Sequence, residues 1–138
     1  MDFKLELVIV PVSDVDRGKA FYTDKAGFNM DVDFKAGDFR IVQLTPPGSA
    51  CSVTLMRNDK AAGSLQGLHL VVTDIDAARA ELAGRGMDIS EVFHFESHGQ
   101  VPGHDPKRDD YGSYLSFNDP DGNGWMVQEV PSRAKRPT

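Results

Sequence analysis

The sequence contains one cysteine, Cys51, among 138 residues, and it has no long apolar run. A single cysteine excludes a disulfide within the chain and agrees with a reducing compartment. A membrane-spanning helix needs about 20 consecutive apolar residues, so the lack of such a run excludes one. The first residues, MDFKLELVIVPV, mix charged side chains into the start of a strand and do not resemble a signal peptide. These features predict a soluble, cytoplasmic protein.

Positive charge is also scarce. Fifteen Lys and Arg against 21 Asp and Glu give a net charge of -6. Surfaces that bind nucleic acids or anionic membranes need clustered Lys and Arg, and here the basic residues cluster in the tail, at Arg133, Lys135 and Arg136. Such a tail is typical of a solvated chain end. Nucleic acid and membrane are therefore not expected as partners. Fingerprints of P-loop, dinucleotide-binding and Gly-x-Ser-x-Gly proteins are absent as well.

The chain does contain an internal repeat with a spacing of sixty positions. Residues 7–22 and 67–82 each read as an apolar strand, an Asp-x-Asp turn and a helix. The pairs that recur unchanged are Val12 and Val72, Asp14 and Asp74, Asp16 and Asp76, and Ala20 and Ala80. A unit of this size cannot close a core alone. The two copies are therefore predicted to pack against each other, or against those of a second chain, in one domain.

Both halves are predicted to have the element order β-α-β-β-β. Module 1 covers about residues 5–56, a linker covers 57–66, and module 2 covers about 67–131. The predicted later elements are strands at 28–34, 39–44 and 51–56, then a strand at 67–72, a helix at 75–83, and strands at 87–95, 114–117 and 125–130. The last two strands are joined by residues 118–124, which are so rich in turn formers that a tight loop is expected.

Three features resemble a known family. The chain begins with a strand, an Asp-x-Asp turn and a helix that leads into Phe21 and Tyr22. The order of elements is duplicated, and residues 119–123 lead into the last strand. Together they resemble the vicinal oxygen chelate superfamily, which holds glyoxalase I, bleomycin-resistance proteins and extradiol dioxygenases. The likeness covers roughly residues 5–131. It implies an α+β fold whose two tandem modules form an incompletely closed eight-stranded barrel around a concave cavity, often in a homodimer.

Metal-dependent members of that superfamily place one ligand on the first strand of each module and one on the last. Carried over to this chain, the four positions are Leu7, Ser52, Gly67 and Met126. None of them offers the imidazole or carboxylate that a divalent ion needs. The resemblance therefore predicts this fold without its usual metal, and no other cofactor is expected.

Side chains alternate along a strand, so the residues two positions after these four lie on the same face as them. They are Ile9, Thr54, His69 and Gln128. His69 interrupts an apolar strand and should face the cavity, with Gln128, Thr54 or a ligand as its hydrogen-bond partner. It is either a structural histidine satisfied by its neighbours or a group that contacts ligand or acts as acid and base near neutral pH. The sequence leaves both interpretations open.

About 20 residues with little periodicity precede the last hairpin, and connections of that length are often functional. The segment from Phe95 to Gly112 is predicted to act as a lid, since its glycines permit bending and Phe95 and Tyr111 offer apolar faces. Residues 107–110 are predicted to be a solvated charged tip.

Alternating His94, Glu96 and His98 suggest a relocated metal site, which His104 could join. In an extended strand, however, His94 and His98 would lie ~13 Å apart at about 3.3 Å per residue, too far to share an ion unless the chain bends. A solvated polar loop is therefore the simpler interpretation of these residues.

Two functional hypotheses follow. In the first, the protein binds a small hydrophobic or aromatic organic molecule in its cavity without the usual divalent metal, as bleomycin-resistance relatives do. In the second, it is a lyase or isomerase, either metal-independent with His69 as the base or dependent on a relocated metal. The residues predicted to contact the ligand are Ile9, Thr54, His69, Phe95, Tyr111, Met126 and Gln128. Loss of the metal ligands favours the first hypothesis, and the polar row around His69 supports the second.

Overall fold

The computed structural model describes residues 1–135, and these fold as two compact units. The first unit comprises Met1–Gln66 and Asn118–Asn123, and the second comprises Gly67–Phe117 and the residues from Gly124 onward. The boundary after Gln66 coincides with the end of the predicted linker. Asn118–Asn123, which the repeat assigns to the second half, belongs to the first unit. None of the helices in residues 1–135 is both long and apolar enough to span a membrane.

The first unit has the predicted order of elements. These are β1 (Leu7–Val12), α1 (Val15–Ala20) with a π-helical turn (Phe21–Lys25), β2 (Asn29–Ala36), β3 (Phe39–Thr45) and β4 (Ser52–Arg57). The sheet order is β1-β4-β3-β2. β1 and β4 pair in parallel, and the other pairs are antiparallel.

The second unit repeats this plan with one additional strand. Its elements are β5 (Leu68–Val72), α2 (Ile75–Gly84), β6 (Phe93–Glu96), β7 (Gly99–Pro102), β8 (Ser113–Asn118), β9 (Gly124–Glu129) and a 3-10 helix (Pro131–Lys135). The sheet order is β5-β9-β8-β6-β7, with β5 and β9 parallel. Residues 1–135 thus form an α+β fold with two mixed sheets, of four and five strands. The incompletely closed eight-stranded barrel that the resemblance implies stays a prediction.

The prediction of one strand over residues 87–95 is wrong. The strand begins at Phe93 and turns back after Glu96 into β7, so this region is a hairpin. Ahead of it, the Ser90 hydroxyl accepts the N–H of Ser116 at 2.9 Å. A side chain thus takes the place of a backbone carbonyl at this position, and Ser90 bonds to β8 without belonging to a strand.

The Asp-x-Asp motifs cap the two helices in the same way. Asp14 and Asp74 have nearly identical extended conformations, with φ of -141° in both. The Asp14 carboxylate accepts the N–H of Arg17, and the Asp74 carboxylate accepts those of Asp76 and Ala77. Such caps contribute about 1 kcal/mol each. The repeat is therefore a structural module used twice, as predicted.

Each helix covers one face of its sheet. In the first unit, Val10, Val12, Val42, Leu44 and Leu55 are fully buried. Gly18 of α1 lies so close to this layer that a Cβ at that position would sit 3.0 Å from Leu55 Cδ1. The alternate residues of the same strands point to the opposite face.

Candidate functional site

The opposite face of the first sheet is not covered by α1 and is called here the first open face. Its members are Leu7, Ile9, Pro11, Val32, Phe34, Ile41, Gln43, Thr45, Ser52, Thr54 and Met56, as the strand register shows. Several of its apolar side chains are strongly exposed, including Ile9 (52%) and Phe34 (50%). Apolar side chains that share one surface in this way are characteristic of a binding or association face.

The corresponding surface of the second unit is called the second open face. Glu129 marks the covered side of that sheet, because its carboxylate accepts the N–H of Ile75 at the start of α2. The register pairs Glu129 with Val72, His69 with Met126, and Val71 with Gln128. His69 therefore lies on the face opposite α2, as its position in the sequence predicted. The second open face comprises His69, Val71, Phe93, Phe95, Tyr114, Met126 and Gln128.

An aromatic cluster occupies one end of the second open face. The ring centroids of Phe93 and Tyr114 are 5.9 Å apart in a stacked arrangement, and those of Phe95 and Tyr114 are 5.2 Å apart, nearly edge to face. The Tyr114 hydroxyl accepts a hydrogen bond from the Gln128 amide and donates one to the Tyr111 carbonyl, both at 2.9 Å. Phe93 is buried, whereas Phe95 is 51% exposed. The cluster is thus an aromatic surface that hydrogen bonds of Tyr114 connect to Gln128 and Tyr111, with the Phe95 ring open to solvent.

His69 is exposed, so it is not the buried polar group that the sequence suggested. Its Nδ1 lies 2.7 Å from the Gly67 carbonyl oxygen. Because a carbonyl only accepts, Nδ1 carries the proton, and in the neutral ring Nε2 is left as a base. Gln128 bonds to Tyr114 and does not act as the partner of His69. Within residues 1–135, no hydrogen bond is formed by His69 Nε2.

The suggested metal group of His94, Glu96 and His98 has a different arrangement. His94 is buried, and its ring bridges two acceptors, with Nδ1 2.8 Å from the Gly103 carbonyl and Nε2 2.7 Å from a Glu96 carboxylate oxygen. The hydrogen bonds to Glu96 and Gly103 raise the pKa of His94 above its ordinary value of 6.5. Both ring nitrogens must donate to satisfy these two acceptors. The hydrogen bonds of His94 to Glu96 and Gly103 therefore stabilise the β6–β7 hairpin.

Across residues 1–135, no three His, Cys, Asp or Glu side chains come together in an arrangement that could hold a metal ion. Leu7 and Ser52 are cross-strand neighbours in the first sheet. Met126 lies on the second open face, and Gly67 directly precedes β5.

The segment from Phe95 to Gly112 does not lie as a lid over the second open face. Its first part forms β6 and β7, and the remainder is anchored on the α2 side of the sheet. There Arg108 binds the buried Glu129 carboxylate through Nε at 2.9 Å and Nη2 at 2.6 Å, while His104 lies 2.7 Å from Asp76. The interpretation of residues 107–110 as a solvated tip is therefore wrong for Arg108.

Tyr111 connects this segment to β9 and to the aromatic cluster. Its N–H donates to the Glu129 carbonyl at 2.8 Å, and its carbonyl accepts from Tyr114. The backbone of Tyr111 is left-handed, with φ of 66°, and its side chain is half exposed. Among the predicted contact residues, Phe95, Gln128 and Tyr111 are thus connected through Tyr114.

The basic tail is only partly solvated. Arg133 lies in the 3-10 helix and its Nε is buried, whereas Arg136 lies outside the described residues.

Two grooves lie away from the open faces. One of about 590 Å³ is lined by Ser13, Asp14, Val15, Asp16, Lys35, Gly37, Asp38, Arg40 and Arg57. The other, of about 420 Å³, is lined by Asp76, Arg79, Ala80, Glu91, Val92, Pro102, Gly103 and His104. Several of their charged groups already pair within the fold, as with Arg40 and Asp16 or Arg79 and Glu91. These grooves therefore offer less to an apolar ligand than the open faces do.

The comparison with protein families agrees with this geometry. Residues 4–127 match the model of the Glyoxalase/Bleomycin resistance protein/Dioxygenase superfamily. The chain belongs to this superfamily. No curated protein sequence matches the chain significantly.

Solved structures of the same superfamily are similar over nearly the whole chain. TnmS3, an antibiotic binding protein from Streptomyces sp. CB03234, is 30% identical, with 94% of this chain and 97% of that one covered and a TM-score of 0.73. A glyoxalase/bleomycin resistance protein from the same organism is 31% identical, with 91% and 100% covered and a TM-score of 0.67. A superfamily member from Sphaerobacter thermophilus DSM 20745 is 25% identical, with 93% and 98% covered and a TM-score of 0.67.

Proposed function

We propose that this protein binds a small hydrophobic or aromatic organic molecule and does so without the divalent metal of its metal-dependent relatives. The observation that carries the proposal is the aromatic cluster on the second open face. Phe95 is half exposed although its neighbours Phe93 and Tyr114 hold it in place. Aromatic rings in such arrangements stack favourably with a further ring, beyond the gain from burying apolar area.

The similarity to TnmS3 supports a small-molecule ligand, since that relative is described as an antibiotic binding protein. The chemistry of the four metal-ligand positions supports independence from metal. Leu7 and Met126 supply apolar side chains, Ser52 supplies a hydroxyl, and Gly67 has no side chain. This set does not fit a divalent ion, which prefers imidazole, carboxylate or thiolate ligands.

The proposal is tested by titrating the protein with 2-naphthol, a bicyclic aromatic molecule with one hydroxyl, in a calorimeter. Saturable binding to the wild type is expected, and Phe95→Ala should weaken it about tenfold, since losing about 50 Å² of apolar contact at ~25 cal/mol per Å² removes ~1.3 kcal/mol. Phe3→Ala is the matched control, because Phe3 is exposed and precedes β1. Equal effects of the two substitutions, or no saturable binding by the wild type, would contradict the proposal.

We also propose that the protein is a homodimer in which a second copy covers part of the first open face. Exposed Ile9, Val32 and Phe34 on one surface motivate this proposal. Sedimentation equilibrium should show a dimer at micromolar concentration, and Phe34→Glu should favour the monomer because a charge would be buried. Phe3→Glu should leave the dimer intact. A monomeric wild type would refute the proposal.

One observation supports a lyase or isomerase activity as the second candidate. His69 is exposed on the second open face, and the Gly67 carbonyl holds the tautomer that leaves Nε2 as a base. His69→Ala distinguishes the two candidates. In a binding protein this variant affects affinity alone, whereas an enzyme loses turnover while retaining much of its ligand binding.

A further inference from the structure

The side-chain amide of Gln128 is held in one orientation on the second open face. The Tyr111 carbonyl can only accept, so the single proton of the Tyr114 hydroxyl goes to it, at 2.9 Å. The Tyr114 oxygen is then left as an acceptor, and the Gln128 atom 2.9 Å away must be the nitrogen of the amide. The opposite orientation would set the amide oxygen against a hydroxyl oxygen that has no proton to give. A chain of two hydrogen bonds therefore fixes the Gln128 amide.

This orientation leaves the amide oxygen of Gln128 as an unused acceptor. Oε1 is the end of the amide opposite Nε2, so it is turned away from Tyr114. Within residues 1–135, Gln128 Oε1 forms no hydrogen bond, and it is not fully buried. The second open face therefore presents a hydrogen-bond acceptor whose position is set by the protein and whose partner has to come from outside the sheet.

The unused acceptor lies beside the aromatic cluster. In the second sheet, β6 carries Phe95, β8 carries Tyr114 and β9 carries Gln128, in that spatial order. Strands β6 and β9 are thus two strand spacings apart, about 10 Å. A molecule of two fused rings that stacks on the exposed Phe95 ring and lies across Tyr114 therefore brings its far edge to Gln128. A polar group on that edge has to be a donor to pair with Oε1.

We propose that Gln128 is a specificity-determining residue whose amide oxygen accepts a hydrogen bond from a hydroxyl on the bound aromatic molecule. Tyr114 is its positioning residue, because the Tyr114 hydroxyl keeps the amide from turning its nitrogen toward the ligand. The inference rests on the proposed function and concerns residues of the second unit alone. A site with a fixed acceptor discriminates against an analogue that cannot donate, because the acceptor then loses its water without gaining a partner.

The test compares two probes by calorimetry, in the wild type and in variants. The probes are 2-naphthol, whose hydroxyl can donate, and 2-methoxynaphthalene, whose ether oxygen can only accept. The wild type should prefer 2-naphthol about tenfold. Gln128→Met removes the amide at similar side-chain length, and it should reduce this preference to about twofold or less by weakening the binding of 2-naphthol.

Two further variants separate the roles of Tyr114 and Gln128. Tyr114→Phe keeps the ring that packs on Phe93 and Phe95 but frees the amide, which can then turn and donate to the ether oxygen. It should reduce the preference to about twofold by tightening the binding of 2-methoxynaphthalene, which a general loosening of the site would not do. Gln100→Met is the matched control, since Gln100 is an exposed glutamine on β7, paired with Phe95, whose amide has no hydrogen bond within residues 1–135. It should retain the preference of the wild type.

The outcomes that overturn the inference are distinct from those that overturn the proposed function. A full preference in Gln128→Met would show that another group pairs with the hydroxyl, as would a loss of preference in Gln100→Met. Equal weakening of both probes in Tyr114→Phe would contradict the positioning role. If Phe95→Ala weakens 2-naphthol binding and the wild type binds both probes equally, the inference fails and the proposed function stands. If the wild type binds neither probe, both fail.

Discussion

Replacing Gly63 with alanine is expected to lower the free energy of unfolding by about 3 kcal/mol, through left-handed backbone strain and overpacking together. Gly63 has φ of +82°, and a Cβ on it would sit 2.1 Å from the Asp121 carbonyl oxygen. That oxygen belongs to the turn Asn118–Asn123, which is held in the first unit by buried hydrogen bonds. The Asp119 carboxylate accepts from the hydroxyl of Tyr22 and the side-chain amide of Asn123, both at 2.8 Å. The turn therefore cannot move away without breaking this network.

Gly67→Ala is the matched control for this prediction. Gly67 has a similar φ of +85°, but a Cβ there would meet nothing within 4 Å. Its substitution introduces only the conformational strain, about 1–2 kcal/mol. Denaturant unfolding of both variants measures the difference. If the two substitutions are equally destabilising, the close approach of Gly63 to the turn is not a feature of the protein in solution.

Arg108→Met is expected to have a similarly large effect, a loss of about 3 kcal/mol, because it leaves a buried carboxylate without its cationic partner. Glu129 is fully buried, and besides the two hydrogen bonds from Arg108 it accepts the N–H of Ile75 at 2.8 Å. Lys107→Met removes an exposed positive charge from the adjacent position and serves as the control. Adding Glu129→Gln to Arg108→Met should recover part of the loss, since the two residues are coupled. Additive effects of the two substitutions would contradict this account.

The same pair predicts a dependence of stability on pH. Burial by itself raises the pKa of Glu129, but the hydrogen bonds from Arg108 and from the backbone of Ile75 outweigh it and hold the pKa below the ordinary value of 4.5. A carboxyl with a lowered pKa in the folded state stabilises the fold above its unfolded pKa, and this contribution is lost as the pH falls through the folded value. The difference in unfolding free energy between wild type and Glu129→Gln should therefore shrink below pH 4.5.

Local patterns were sufficient to predict most of the fold. The repeat predicted two modules, the Asp-x-Asp motifs predicted the turns that lead into α1 and α2, and turn-forming residues predicted the loop before β9. These signals are local, because a cap or a turn depends on a few neighbouring side chains. The β6–β7 hairpin was missed, since the turn there has no strong sequence signal and the Ser90 to Ser116 bond joins distant residues.

Long-range pairing also limited the prediction of the site. Alternation along β5 was enough to place His69 on the face opposite α2. Its exposure, and the bond between Gln128 and Tyr114, depend on which strands become neighbours in the sheet. Arg108 resembled a solvated charge because its partner Glu129 lies 21 positions away in the sequence. Tyr114, which connects the aromatic cluster, was assigned only to a strand, and its register with Phe93 could not be read from the sequence.

We expect an aromatic molecule to bind this protein without a divalent metal, and this expectation can be tested directly. Its most direct test is calorimetric titration with 2-naphthol of protein stripped of metal with EDTA, repeated after one equivalent of zinc is added. Because Leu7, Ser52, Gly67 and Met126 do not form a ligand set for a divalent ion, we predict saturable binding with the same dissociation constant in both titrations. Binding that appears only after zinc is added would contradict the claim, as would an absence of saturable binding in both titrations.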